Sequence, residues 1–126
     1  MSEHFSESIL IVDDADVVVR LNEILLKKTG LTVVTAHSGK EAIALAQEHH
    51  PRVAVMDLNM PDMQGDAVAR YFKSTDALRD MVIVIVTAYD NEETRKRCLD
   101  AGADYFISKP IKPANLLDLI RSVVRR

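Results

Sequence analysis

Five short apolar segments recur along the chain and predict a parallel β-sheet. They are continuous rather than alternating and are rich in β-branched or aromatic residues. The segments are 9–12, 31–34, 53–56, 82–86 and 105–107. A strand that is apolar at successive positions is buried on both faces, as in a parallel sheet covered by helices.

The segments between these strands have helical periodicity. Val17, Leu21, Ile24 and Leu25 recur at i, i+4, i+7 and i+8 and predict a first amphipathic helix. Gly30 follows where the chain can leave that helix in a left-handed conformation.

Four further helices are predicted by their end signals. The second begins with the capping-box spacing Ser38 to Glu41 and ends before Pro51. The third runs from Asp66 to about Lys73, and the fourth begins at 90–93 and ends at Gly102. The fifth begins with Pro113.

The predicted order of elements is therefore a (βα) unit repeated five times. With right-handed crossovers, this count favours a flavodoxin-like three-layer α/β sandwich with strand order 2-1-3-4-5. We expect a single domain over residues 1–126, in which residues 1–7 form a flexible N-terminal tail.

Composition narrows the class of protein. The 126 residues are 48% hydrophobic and 28% charged, and the net charge of −3 argues against direct nucleic acid binding. No apolar stretch approaches the roughly 20 residues of a membrane span, so no membrane association is expected. The first residues lack the features of a secretory signal and Cys98 is the single cysteine, which together predict a cytoplasmic protein.

Polar residues follow four of the predicted strands. Asp13 and Asp14 follow the first, Asp57 the third, Thr87 the fourth and Lys109 the fifth. In the order 2-1-3-4-5 the carboxyl ends of strands one and three are neighbours, so the three acids should converge beside the hydroxyl and the amine. Open α/β sheets bind their ligands at this edge.

Three neighbouring carboxylates raise one another's pKa unless a cation joins them. Mg²⁺ is the expected ion, with Mn²⁺ as an alternative, because carboxylate and carbonyl oxygens suit hard divalent cations. A metal and Lys109 can neutralise phosphoryl oxygens, Thr87 can donate a hydrogen bond, and a carboxylate can attack phosphorus. Asp57 is the better nucleophile candidate because it stands alone on its strand end. Singly, each acid also fits a helix-capping or loop role, and Asp14 or Asp16 could cap the first helix.

Three other functions fit parts of the pattern. Residues 14–18 match the D-x-D-x-[TV] pattern of haloacid-dehalogenase-type phosphatases, with Asp14 as nucleophile and Asp16 as acid, but this alternative leaves Asp57 without a role. A flavin-binding module of the same topology should carry a phosphate cradle rich in Ser, Thr or Gly after the first strand, where this chain has acids. A docking domain that is never phosphorylated would not need the complete set of acid, hydroxyl and lysine.

Several motifs together resemble those of bacterial response regulator receiver domains, including the chemotaxis type. They are Ile9 to Asp14, Val55 to Gly65, Val84 to Ala88 and Ala101 to Pro110, in the order and spacing of that family. The resemblance covers the chain from about Ser8 to the last helix.

The resemblance implies a role for each matching residue. Asp57 matches the phosphoacceptor, which also contacts the metal. Asp13, Asp14 and the backbone carbonyl of Asn59 match the remaining protein ligands of Mg²⁺. Thr87 matches the switch hydroxyl and Lys109 the lysine that pairs with the phosphoryl group.

Four further features follow from the same resemblance. The Lys109–Pro110 peptide bond would be cis. Phe106 matches the switch aromatic, which is tyrosine in many members, so inward packing is retained but a readout through a hydroxyl is lost. Asn59 and Tyr89 would flank the route of the attacking water and tune hydrolysis, and the bulk of Tyr89 is expected to slow it.

The resemblance also implies partners. The phosphoryl group would come from the phosphohistidine of a histidine kinase or histidine phosphotransfer protein, and the domain would catalyse only its own phosphorylation and dephosphorylation. The surface of the fourth helix, fifth strand and fifth helix would bind an unidentified downstream protein, with the domain monomeric or dimerising there on phosphorylation. The basic cluster Arg95, Lys96 and Arg97 on that surface is either a partner patch or a solvated helix side.

Overall fold

A five-stranded parallel sheet forms the centre of the computed structural model, which describes residues 6–124. The strands are β1 (Ser6–Val12), β2 (Thr32–Ala36), β3 (Pro51–Asp57), β4 (Val82–Thr87) and β5 (Tyr105–Ser108). Their order is β2-β1-β3-β4-β5, and every neighbouring pair is parallel. The predicted order is therefore confirmed.

Each strand is followed by a helix. The helices are α1 (Asp16–Leu26), α2 (Gly39–His49), α3 (Gly65–Lys73), α4 (Glu92–Asp100) and α5 (Pro113–Val124), with a short 3-10 turn at Lys27–Thr29 after α1. Gly30 has a φ of 84°, the left-handed conformation predicted for the exit from α1. The Ser38 side chain accepts a hydrogen bond from the Glu41 N–H at 3.1 Å, as the capping signal predicts.

Alternate residues of each strand point to opposite faces of the sheet, and two separate cores result. Leu10, Met56 and Ile85 belong to the core covered by α2, α3 and α4, whereas Ile11 and Val55 belong to the core covered by α1 and α5. These layers form the predicted three-layer flavodoxin-like sandwich. They leave the carboxyl ends of the strands accessible at one edge of the sheet.

The apolar stripe that predicted α1 does not face the sheet. Val17, Leu21 and Ile24 are 70%, 63% and 59% exposed, whereas Val19 and Leu26 are the buried residues of this helix. The helix carries two apolar stripes, and periodicity alone does not say which one the sheet covers. The prediction of a helix was right, but three of the four residues that supported it lie on the solvent side.

The predicted N-terminal tail falls largely outside the described residues, which exclude 1–5. Its last two residues, Ser6 and Glu7, are part of β1. A carboxylate oxygen of Glu7 lies 3.0 Å from Arg52 Nη1 of β3. Within the described part of the chain, no helix is both long and apolar enough to cross a membrane.

Candidate functional site

The sheet delivers acidic residues to one edge at fixed positions. Asp57 is the last residue of β3, and Asp13 directly follows β1, where its N–H donates to the Ala36 carbonyl at 3.2 Å. The Leu58 N–H donates to the Val86 carbonyl at 3.0 Å, so sheet-like hydrogen bonding continues past the end of β3. The backbone that carries both acids is therefore held by neighbouring strands.

The three predicted acids meet at this edge. Asp13, Asp14 and Asp57 each offer a carboxylate oxygen within 4.8 Å of the others. Asp13 is buried, Asp57 is partly buried and Asp14 is exposed, so the cluster opens to solvent on one side. The Ala15 N–H donates to Asp13 Oδ1 at 2.9 Å, which orients that carboxylate.

Lys109 lies between two of these acids. Its Nζ is 3.4 Å from Asp13 Oδ2 and 3.4 Å from Asp57 Oδ1. Burial would lower the pKa of the Lys109 ammonium, but the charges of Asp13 and Asp57 outweigh burial and raise it above its usual range. The Lys109 side chain therefore carries a positive charge at neutral pH, close to the three acids.

The pKa of Asp57 is raised above its ordinary value of 3.8. Burial is the largest cause and the neighbouring Asp13 charge comes next, while Lys109 offsets only part of the effect. A carboxylate with this environment gains from a further cation. The oxygen donors of the cluster suit a hard divalent ion such as Mg²⁺.

Asp57→Asn is expected to stabilise the metal-free protein. Because the folded-state pKa of Asp57 is raised, the protein loses stability as pH rises from the ordinary value of 3.8 through the folded value. Asparagine removes that charge, so at pH 7 in a chelator the variant should melt at a higher temperature than the wild type. The difference between variant and wild type should shrink below pH 4, and a variant that melts lower at pH 7 would contradict the electrostatic argument.

The predicted hydroxyl and switch residues lie on the adjacent strands. Thr87 is fully buried at the end of β4, and its Oγ1 accepts a hydrogen bond from the Tyr89 N–H at 3.1 Å. The Thr87 carbonyl accepts from the Lys109 N–H at 2.9 Å, which ties the ends of β4 and β5 together. Phe106 of β5 is partly buried, and the Lys109–Pro110 peptide bond is cis.

Asn59 and Tyr89 face a common groove. It has a volume of about 230 Å³ and lies between the loop after β3 and the start of α4, where Thr94 and Arg97 also line it. Tyr89 is 63% exposed. The two residues predicted to flank the water route therefore line one groove.

The basic cluster of α4 is paired with acids. The pairs are Arg95 with Asp90 at 3.0 Å, Lys96 with Asp100 at 3.1 Å and Arg97 with Asp66 at 3.1 Å. The Arg95 guanidinium also lies over the Phe106 ring, 4.8 Å from its centroid. These pairings favour a salt-bridged helix side over a free basic patch.

Sequence reasoning assigned no role to two features of the site. An added Cβ on Gly65 would lie 2.6 Å from the Asp57 carbonyl oxygen, so only glycine fits where α3 begins against the acid strand. An apolar groove of about 540 Å³, lined by Val18, Leu21 and Ile111, lies beside Lys109. Gly65 belongs to the Val55 to Gly65 motif, so its position could have been singled out from the sequence. The residues that line the groove are far apart in the chain, and no local sequence pattern indicates the groove.

Comparison with known proteins decides the family. The model of the response regulator receiver domain family matches residues 9–121. The chain belongs to this family. Its arrangement of acids, hydroxyl and lysine can therefore be compared with those of other receiver domains.

The receiver domain has relatives along almost its whole length. It is 32% identical to the polar-differentiation response regulator DivK of Brucella ovis over 117 residues, which cover 93% of this chain and 95% of the relative. A CheY-like receiver domain from Methanospirillum hungatei is 31% identical, with a TM-score of 0.87 and coverage of 94% of each chain. The chemotaxis protein CheY4 of Vibrio cholerae is 28% identical, also with a TM-score of 0.87, over 92% of this chain and 97% of the other.

The phosphatase alternative is not supported. It needs Asp14 and Asp16 to act together, but Asp16 Oδ1 instead lies 2.9 Å from His37 Nε2. The family match is to a signalling module rather than a classical enzyme. The prediction of a receiver domain of a two-component system is confirmed.

Proposed function

We propose that this receiver domain accepts a phosphoryl group on Asp57 from the phosphohistidine of a histidine kinase or histidine phosphotransfer protein. The observation that carries the proposal is the position of the Asp57 carboxylate, which lies at a strand end beside two further acids and 3.4 Å from Lys109 Nζ. Receiver domains interact with histidine kinases and with downstream targets, so the family supports this class of donor.

The acid cluster fits a hard divalent cation. Asp13, Asp14, Asp57 and the backbone carbonyl of Asn59 would hold Mg²⁺, or Mn²⁺ in its place, because the ligands are all oxygen. When bound, the ion supplies charge neutralisation for phosphoryl oxygens. Bound there, it would offset the repulsion between Asp13 and Asp57, which is the second cause, after burial, of the raised pKa of Asp57.

The chain's own residues perform the transfer. A carboxylate oxygen of Asp57 attacks phosphorus, forming a P–O bond while the P–N bond to the donor imidazole breaks. The ring nitrogen keeps the bonding pair, and the imidazole leaves neutral when its other nitrogen carries a proton. The Lys109 ammonium stabilises the phosphoryl oxygens, as a charged group placed in advance. The domain thus catalyses its own phosphorylation and, with water as attacking group, its own dephosphorylation.

Phosphorylation would bias a two-state element. The Thr87 hydroxyl now accepts from the Tyr89 N–H, and a phosphoryl group beside it offers a new acceptor for its own proton. Movement of Thr87 leaves space that Phe106 can enter, which removes the ring from beneath Arg95. The surface of α4, β5 and α5 would then change, and with it the contacts to a downstream protein or a second copy.

The exposed apolar side of α1 supports a protein donor. Val17, Leu21 and Ile24 lie on the same helix as Val18, which lines the apolar groove beside Lys109. A donor that packs helices against this side could bring its phosphohistidine to the acids. A contiguous exposed apolar surface marks an interaction site more often than single exposed residues do.

One experiment tests the phosphoacceptor proposal. The protein is incubated with Mg²⁺ and a small acyl phosphate, and intact mass spectrometry should reveal one phosphoryl adduct. A chelator should prevent its formation, since the acids repel the anionic donor when no cation joins them. Sustained turnover of a phosphate monoester with no adduct would contradict the proposal and favour an enzyme.

Tyr89→Ala is expected to shorten the life of the phosphorylated form about threefold to tenfold, because the large exposed ring beside Asn59 screens the water route. The measurement is the first-order loss of the adduct after the donor is removed. Leu99→Ala, which truncates another exposed residue, on α4, is the matched control and should leave the rate unchanged. A wild-type adduct that decays faster than that of Tyr89→Ala would contradict the screening role.

A further inference from the structure

The loop that follows Asp57 is held to helix α2 by hydrogen bonds. Asp62 of this loop accepts two backbone hydrogen bonds from the first turn of α2. Its Oδ1 accepts from the Gly39 N–H and its Oδ2 from the Lys40 N–H, both at 2.9 Å. The contact joins segments more than 20 residues apart.

A second contact at the same place shows how closely the loop approaches the helix. An added Cβ on Gly39 would lie 2.8 Å from Met63 Cβ, a distance that side chains do not tolerate. Met63 in turn packs against the core beneath α2 and α3. The loop is therefore held to α2 by a packed side chain as well as by Asp62.

The first turn of α2 divides its free N–H groups between two acceptors. Asp62 takes those of Gly39 and Lys40, and Ser38 takes that of Glu41 at 3.1 Å. Helix amino termini favour negative charge, and the hydrogen bonds from Gly39 and Lys40 lower the pKa of Asp62. Asp62 therefore joins the loop to α2, whereas the Ser38 side chain caps its own helix.

The other end of the loop is fixed at the acid strand. The Gly65 N–H donates to the Leu58 carbonyl at 2.6 Å, where α3 begins against β3. Asn59 lies between this closure and the attachment at Asp62. Asn59 therefore lies in a segment that is held by hydrogen bonds on both sides.

We propose that Asp62 is a positioning residue, which anchors the 58–65 loop on the first turn of α2 and so holds the Asn59 carbonyl in place for a divalent cation. The proposal rests on the proposed function, because it assumes that this carbonyl is a metal ligand. Groups that orient metal ligands contribute to affinity without touching the ion. Asp62→Ala should therefore weaken Mg²⁺ binding, although Asp62 is not itself a ligand.

The experiment compares Asp62→Ala with Ser38→Ala. Both remove an acceptor from the same helix turn, but only Asp62 reaches the loop. The Mg²⁺ dissociation constant, measured by calorimetry, should rise about tenfold in Asp62→Ala and change less than about twofold in Ser38→Ala. Asp62→Asn, which keeps one acceptor oxygen and nearly the same shape, should fall between wild type and Asp62→Ala, and it serves if the alanine variant does not fold.

A second measurement needs no metal. In a chelator, hydrogen exchange of the Gly65 amide should be about tenfold faster in Asp62→Ala than in wild type, while Ser38→Ala should resemble wild type at this amide. Asp62 variants with wild-type Mg²⁺ affinity, or a Ser38→Ala variant that loses as much affinity, would overturn the positioning role alone. A wild-type protein that does not bind Mg²⁺ would overturn the metal site and this inference together, whatever the exchange rates.

Discussion

Asp57→Asn should reduce phosphoryl labelling by an acyl phosphate at least about 10³-fold, since losing an attacking nucleophile has effects of this size or larger. Asparagine keeps the shape of the side chain at the end of β3 but offers a neutral amide in place of an anionic oxygen. Asp13 and Asp14 do not replace it, because Asp13 is held by the Ala15 N–H and Lys109 and Asp14 lies at the exposed side of the cluster.

Unfolding would not explain such a loss, because the same substitution is expected to raise the melting temperature of the metal-free protein. Asp76→Asn is the control, since that carboxylate is 97% exposed and pairs with Arg79, three residues away. It should label at the wild-type rate. An adduct that forms at wild-type yield in Asp57→Asn, or that maps to Asp13 or Asp14 in the wild type, would remove the central assignment.

Gly65→Ala should cost about 3 kcal/mol of unfolding free energy, the upper end of the range for overpacking. The new methyl group would lie 2.6 Å from the Asp57 carbonyl oxygen and 3.0 Å from the Leu58 Cα. Both are backbone atoms of the acid strand and its continuation, so no side-chain rotation relieves the clash. Urea denaturation should show the loss as a lower midpoint with an unchanged slope.

Gly30→Ala provides the matched comparison. Gly30 has a φ of 84° but no atom within 4 Å of an added Cβ, so alanine there meets only backbone strain, about 1 kcal/mol. Gly65→Ala should therefore be the more damaging of the two, although its backbone is ordinary helix. If Gly65→Ala lost less unfolding free energy than Gly30→Ala, α3 would be able to shift away from Asp57 without a loss of stability.

The strands and their order followed from the sequence because each depends on local patterns. Runs such as Val82 to Val86 are too short and too apolar for surface helices, and the number of (βα) units favoured one strand order. That order brought Asp57, Asp13 and Lys109 together although 96 residues separate the last two. Strand ends of a parallel sheet share one edge, so topology alone predicted the meeting.

Other features depend on tertiary contacts that no local pattern records. The two apolar stripes of α1 are equivalent in sequence, and only docking on the sheet decides that Val19 is covered and Leu21 is not. The attachment of Asp62 to α2 likewise joins a loop to a helix that is distant in sequence. In the sequence, Asp62 looks like an ordinary turn residue, and only the folded structure shows its contact with α2.

Lys109 is shared between two acceptors, and this affects the expected rate of phosphoryl transfer. At 3.4 Å from Asp13 Oδ2 and 3.4 Å from Asp57 Oδ1, its ammonium is farther from each oxygen than the roughly 2.7–2.9 Å of a strong charge-assisted hydrogen bond. A flexible lysine held loosely by two partners can turn toward a third without first breaking a strong bond. Turning Lys109 from these two long ion pairs toward a phosphoryl group should therefore add little to the activation free energy of phosphoryl transfer.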